Sequence, residues 1–74
     1  MTYTEIFEKR WGDDARAGRE VIEQLPVEQR TAWRLVEDLS DRRGLAQEWD
    51  QIDDEIKDEI FDEWSRIIRE VTAQ

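Results

Sequence analysis

Histidine and cysteine are both absent from these 74 residues. Without cysteine there is no disulfide, no redox pair and no thiolate metal site. Without histidine the commonest general base and the commonest transition-metal ligand are missing as well, which removes most catalytic templates. Proline occurs once, at Pro26, and after Gly44 there is neither proline nor glycine. No apolar run approaches the roughly 18 residues of a membrane span. The opening Met1-Thr2-Tyr3-Thr4-Glu5 lacks the basic and apolar regions of a signal peptide. The expectation is a soluble cytoplasmic protein with no cofactor, no bound metal and no membrane contact.

Acid is what the chain has in excess, and it is concentrated. Of the eighteen residues from 46 to 63, nine are Asp or Glu and one, Lys57, is basic, so this acidic segment alone carries a formal charge of −8 out of the total of −9. The other 56 residues hold 11 acids and 10 bases and are close to neutral. A large local field of one sign is a property of a surface that meets the opposite sign.

Apolar residues recur at helical spacing throughout, and strict alternation persists nowhere, so the chain reads as all-α. The sequence predicts one domain, residues 1 to 74, built as a small bundle of four to five helices with a long amphipathic C-terminal helix. A first helix over about residues 4 to 11 has Thr2 and Glu5 spaced as a capping box, with Gly12 suited to a left-handed C-terminal stop. Asp13 and Asp14 start a second helix with Ala17, Gly18, Val21, Ile22 and Leu25 on one face. Pro26 ends it and opens a third, in which Ala32, Trp33, Leu35, Val36 and Leu39 share an arc opposite Arg30, Arg34 and Asp38. Ser40, Asp41 and Gly44 mark the next turn.

In the last helix Ile56, Ile60, Phe61, Trp64, Ile67, Ile68 and Val71 fall within an arc of about 140° at 100° per residue. Leu45, Trp49 and Ile52 continue nearly the same phase. Asp53 would interrupt a single continuous stripe, whereas Asp53, Asp54 and Glu55 together make a good helix start, so a break is expected near residues 51 to 53. The core needs to be efficient in a chain this short. Trp33 and Trp64 sit inside apolar arcs as core residues, while Trp11 and Trp49 lie beside helix ends, where a ring stays partly exposed. Trp49, next to the acidic run, is the candidate apolar anchor for a partner.

On the C-terminal helix Asp54, Asp58 and Asp62 form one i, i+4 row and Glu55, Glu59 and Glu63 a second, both expected to face solvent. Four like-charge pairs at this spacing cost the helix on the order of 1 to 2 kcal/mol, which ion pairs of Asp62 with Arg66 and Asp53 with Lys57 offset only in part. Solubility alone is normally served by interleaved signs, as in residues 28 to 43. Successive acids in a row lie about 6 Å apart along the axis, similar to neighbouring phosphates on a nucleic-acid strand. An acidic helix of this kind suits the Lys/Arg groove of a nucleic-acid-binding protein, where it would displace the polyanion; direct nucleic-acid binding is excluded by its sign.

Other patterns lead elsewhere. Glu20-Val21-Ile22-Glu23 and Glu59-Ile60-Phe61-Asp62 resemble the ExxE and ExxD pairs of all-α nucleotide pyrophosphatases. That resemblance implies magnesium-dependent hydrolysis if the two pairs face each other across a pocket. The run from Asp50 to Glu63 lacks the central glycine of an EF-hand calcium loop. Leu25-Pro26-Val27-Glu28-Gln29-Arg30, with Leu39-Ser40 and Leu45-Ala46, resembles the opening of the helix-turn-helix in region 4 of bacterial sigma factors over about a quarter of the chain. There the recognition helix would fall on Asp53 to Glu63, which repel phosphate, so this likeness implies a scaffold without DNA binding.

The functional expectation is a small acidic protein-binding module and not an enzyme. It would act as an inhibitor or regulator that occupies the basic surface of a partner protein through Glu48, Trp49, Asp50, Asp54, Glu55, Asp58, Glu59, Asp62 and Glu63. Its size and charge match the strategy of small phage-encoded antagonists of host nucleic-acid machinery. The alternative is a structural module whose apolar stripe pairs with a second copy while the acids keep the assembly soluble. Exposed stripe residues favour that alternative, and a buried stripe under an exposed acidic face favours the binder.

Overall fold

Local capping chemistry places the helix boundaries. Thr2 accepts a hydrogen bond from the Glu5 N–H at 3.2 Å while the Glu5 carboxylate accepts one from the Thr2 N–H at 3.2 Å. This is the predicted capping box, and it starts α1, Tyr3–Arg10. The computed structural model describes residues 1–12 and 14–73. Asp13, half of the expected start of the second helix, lies outside the described residues; Asp14 caps α2, Ala15–Glu23, through bonds from the Arg16 and Ala17 N–H groups. Pro26, at φ −52°, precedes α3, Val27–Ser40. Gly44, at φ +84°, precedes α4, Leu45–Asp50, and Asp53 precedes α5, Asp54–Thr72. The predicted break at residues 51 to 53 is therefore present. Gly12 does not take the left-handed stop expected of it, because Gly44 is the described residue with positive φ.

The fold is all-α, five helices with no strand among the described residues. Its centre is a cluster of rings held by α1, α3, α4 and α5. The Tyr3 ring lies 5.4 Å from Trp33, 5.6 Å from Trp49 and 5.9 Å from Phe61, centroid to centroid. Ile6, Leu25, Ala32 and Val36 complete the buried core, and Ile22, Leu39, Ile52, Ile60, Trp64 and Ile68 pack against it half-buried. α5 rests mainly on α3 and α1, while α2 rests on α1. No described helix is long and apolar enough to cross a membrane.

Several residues of the predicted stripes remain uncovered. Leu35, Leu45, Ile56, Ile67 and Val71 are exposed, as are Phe7 and Trp11, and Ala17 also faces out. The spacing of a helix fixes which residues share a face, whereas five short helices supply too few neighbours to cover the whole of each face. Trp49 departs in the other direction. It is 4% exposed, its indole N–H donates to the Tyr3 hydroxyl at 3.3 Å, and its ring stacks on Trp64 at 6.3 Å. Tyr3 of α1 and Trp64 of α5 pack against the ring and close the position that the sequence left open.

Candidate acidic interface

The acidic segment occupies α4, the 51–53 break and the first half of α5. Its carboxylates fall into two groups. Asp58 belongs to the fold: one of its oxygens accepts from both the Thr4 N–H and the Thr4 hydroxyl, each at 2.8 Å. The first N–H groups of a helix have no partner within it, so a carboxylate from α5 serves as a second cap for α1 and complements its positive end. The expectation that both acidic rows face solvent fails here, since Asp58 is half-buried against α1. Glu63 is also engaged. It pairs with Arg66, which reaches Glu70 at 2.5 Å on its other side. The hydrogen bond from Arg66 holds the Glu63 carboxyl below its ordinary pKa, and the same contact raises that of the guanidinium.

The expected pairs Asp62–Arg66 and Asp53–Lys57 do not form. The Arg66 fork is committed to Glu63 and Glu70, and the Lys57 ammonium sits 5.7 Å from the centroid of the Trp49 ring, a cation–π position. That leaves Glu48, Asp50, Asp53, Asp54, Glu55, Glu59 and Asp62 exposed, with no side-chain hydrogen bond or ion pair to any described residue. Asp54 and Glu55 lie in the first turn of α5, where the helix dipole favours them by roughly 0.3 to 1 kcal/mol each. Glu48 likewise lies in the first turn of α4. Asp50 closes α4, the wrong end for an acid, and Glu59 and Asp62 lie in the interior of α5. These three receive nothing from the fold.

Asp53, expected from sequence as a helix start and as a partner of Lys57, makes neither a capping bond nor that pair and adds to the same exposed group. Ile56, exposed between Asp53 and Glu59 on α5, is the apolar residue that this face offers, in place of the buried Trp49. Both were legible only once the break between α4 and α5 fixed the phase. Beside the acids an open cleft of about 540 Å³ is lined by Tyr3, Phe7, Trp11, Trp33 and Trp49, together with Asp50 and Lys57. Burial raises the pKa of the Tyr3 phenol, as do Asp50 and Asp54 nearby, against the lowering effect of the Trp49 bond.

The pairs Glu20/Glu23 and Glu59/Asp62 stand on α2 and α5, all four side chains exposed, and Glu20 is engaged by Arg16 at 3.5 Å. Among the described residues no three acids gather where they could hold a metal ion.

The division between structural and free carboxylates has a measurable consequence. Asp58→Ala is expected to cost about 1 to 2 kcal/mol, the value of a lost helix cap. Glu59→Gln, one residue away, should leave stability unchanged or raise it slightly by relieving i, i+4 repulsion. Urea midpoints of the two variants against the parent chain check this, and equal effects would mean that the Thr4–Asp58 contact contributes nothing. Compared with protein-family models, with curated proteins and with solved structures, the chain matches none.

Proposed function

We propose that the chain is a small protein-binding module that sets its α4–α5 carboxylates against a basic, nucleic-acid-binding surface of a partner protein, as an inhibitor or regulator rather than an enzyme. The exposed stripe residues Leu35, Leu45, Ile56, Ile67 and Val71 meet the condition stated above for a self-pairing module; one observation carries the binder reading against it. Asp50, Glu59 and Asp62 are exposed, unpaired and placed where neither the dipole nor a cap offsets their repulsion, so folding gives no reason for them. With Glu48, Asp53, Asp54 and Glu55 they form an acidic field in which Glu55 and Glu59 stand about 6 Å apart along the axis, whereas Asp54 and Asp62, with Asp58 between them bound to Thr4, stand about 12 Å apart. A partner lined with Lys and Arg meets that field as it meets phosphates, and Ile56 supplies an apolar contact.

The test reverses the free acids and spares the structural ones. Asp54, Glu55, Glu59 and Asp62 are changed together to Lys, keeping Asp58 and Glu63, and a control reverses Glu8, Glu20, Glu23 and Asp41, which lie elsewhere on the surface. Partners retained from lysate at low salt and eluted at high salt are purified and titrated with each protein. The first variant is expected to lose binding while remaining helical by circular dichroism; the control, with the same net charge, should keep most of it. Affinity should fall steeply as sodium chloride rises, because exposed pairs are screened at a Debye length of about 8 Å at physiological ionic strength. Competing oligonucleotide should displace the chain. Equal loss in both variants would reduce the effect to overall charge, and a salt-insensitive, uncompeted affinity would remove the mimicry.

A further inference from the structure

The open cleft of about 540 Å³ beside the acids is walled on one side by rings that the core does not use. Phe7 and Trp11 stand one turn apart at the end of α1, 46% and 63% exposed, and neither belongs to the buried core. The cations of the chain show what the rings of this cleft take. The Arg10 guanidinium carbon lies 4.5 Å from the centroid of the Trp11 ring, and the Lys57 ammonium lies 5.7 Å from that of Trp49. Arg10 makes no ion pair with any described residue, so the ring is its counterpart. Three carboxylates line the same cleft, Glu37, Asp41 and Asp50. Glu37 accepts the Trp33 indole N–H, while Asp41 and Asp50 have no ion pair among the described residues. Three acids against Arg10 and Lys57 leave the lining at −1, and at −2 once Arg10 is out of it.

We infer that the cleft receives an arginine side chain of the basic partner, which takes the place of Arg10 on the Trp11 ring. The inference rests on the acidic-face reading for the character of the partner, and adds the residue type that anchors it and the rings that hold it. Charge complementarity selects a cation. A guanidinium is planar and weakly hydrated, so it stacks on a ring while its edge still donates to a carboxylate; an ammonium keeps its water and offers no plane. An apolar occupant would cover Asp41 and Asp50 without pairing them, and a nucleobase would bring a phosphate that they repel. Arg10 leaves by rotating its own side chain, because it stands at the last position of α1 and its guanidinium is tied to no carboxylate. Until it leaves, it competes with the incoming arginine for the ring and repels its charge, so this contact holds the cleft partly closed to the partner.

The experiment titrates the full chain with blocked hexaarginine and hexalysine by calorimetry, and follows the indole N–H resonance of Trp11. Hexaarginine should bind about 5-fold more tightly than hexalysine and shift that resonance, the value of one cation–π contact at an accessible site. Trp11→Ala should remove the preference by lowering the arginine affinity alone; the ring is exposed, so near-ultraviolet circular dichroism of the core should be kept. Arg10→Gln should tighten hexaarginine by about 5-fold, whereas Arg69→Gln, the same charge change at the far end of α5, should tighten both peptides equally and by less. Reversal of Asp54, Glu55, Glu59 and Asp62 should weaken both peptides alike and leave the arginine preference, which separates the two proposals. Equal affinities for the two peptides, a preference that survives Trp11→Ala, or an Arg10→Gln chain no tighter than Arg69→Gln would overturn the inference while leaving the acidic-face reading to its own test.

Discussion

Trp49→Ala unfolds the domain or leaves it without fixed tertiary packing; it does not merely weaken partner binding. Removal of a buried tryptophan costs about 3 to 5 kcal/mol, and a chain of this length has a stability of only about 4 to 11 kcal/mol at typical values per residue. The loss extends past the cavity. The indole N–H donates to the Tyr3 hydroxyl, the ring stacks on Trp64, and Lys57 sits over its face. Tyr3 is the ring to which Trp33 and Phe61 also pack, so its hydroxyl would lose its partner in the middle of the core. Near-ultraviolet circular dichroism and a urea midpoint measure the outcome. Trp49→Phe keeps much of the ring and loses the hydrogen bond, for an expected cost of about 1 to 2 kcal/mol. A Trp49→Ala protein that kept its midpoint and lost only binding would return this residue to the role of exposed anchor.

The misplacement of Trp49 shows what kind of information a single sequence holds. The Thr2/Glu5 capping box, the stop at Pro26 and the new helix after Asp53 were legible because each is decided within four or five residues. The burial of Trp49 is decided by α1, more than forty residues earlier in the chain, and Asp58 finds Thr4 across a separation of 54 residues. Neither pairing leaves a periodic trace. Helical spacing likewise put Leu35, Ile67 and Val71 on the apolar faces correctly, yet it says nothing of how many helices are present to cover them. For the site, the concentration of charge between residues 46 and 63 was plain, and which carboxylates the fold consumes was not. Asp58 and Glu63 sit in the same i, i+4 rows as Asp54 and Glu59, and only the positions of Thr4 and Arg66 separate them.

Gly18→Ala should destabilise the protein, reversing the usual sign of that substitution. In the interior of an exposed helix alanine is favoured over glycine by roughly 0.8 to 1 kcal/mol, and Gly18 lies in the middle of α2. A Cβ at this position, however, would stand 2.5 Å from the Lys9 carbonyl oxygen and 2.8 Å from the Arg10 Cα. Both are backbone atoms at the end of α1 and cannot turn aside as a side chain would, so α1 and α2 must separate. Overpacking of this kind typically costs about 1 to 3 kcal/mol, and Gly18→Val should exceed the alanine change. The displacement is transmitted, because α1 carries Tyr3 and Ile6 into the core and is tied to α5 through Thr4. Gly44 provides the contrast: nothing lies within 4 Å of a Cβ there, and the glycine is required for its φ of +84°. Gly44→Ala should therefore cost about 1 to 3 kcal/mol of local strain while leaving the near-ultraviolet signal of the Tyr3–Trp49 cluster unchanged. Gly18→Ala should lower the urea midpoint and alter that signal together, and a midpoint at or above that of the parent would mean that α1 and α2 have room to spare.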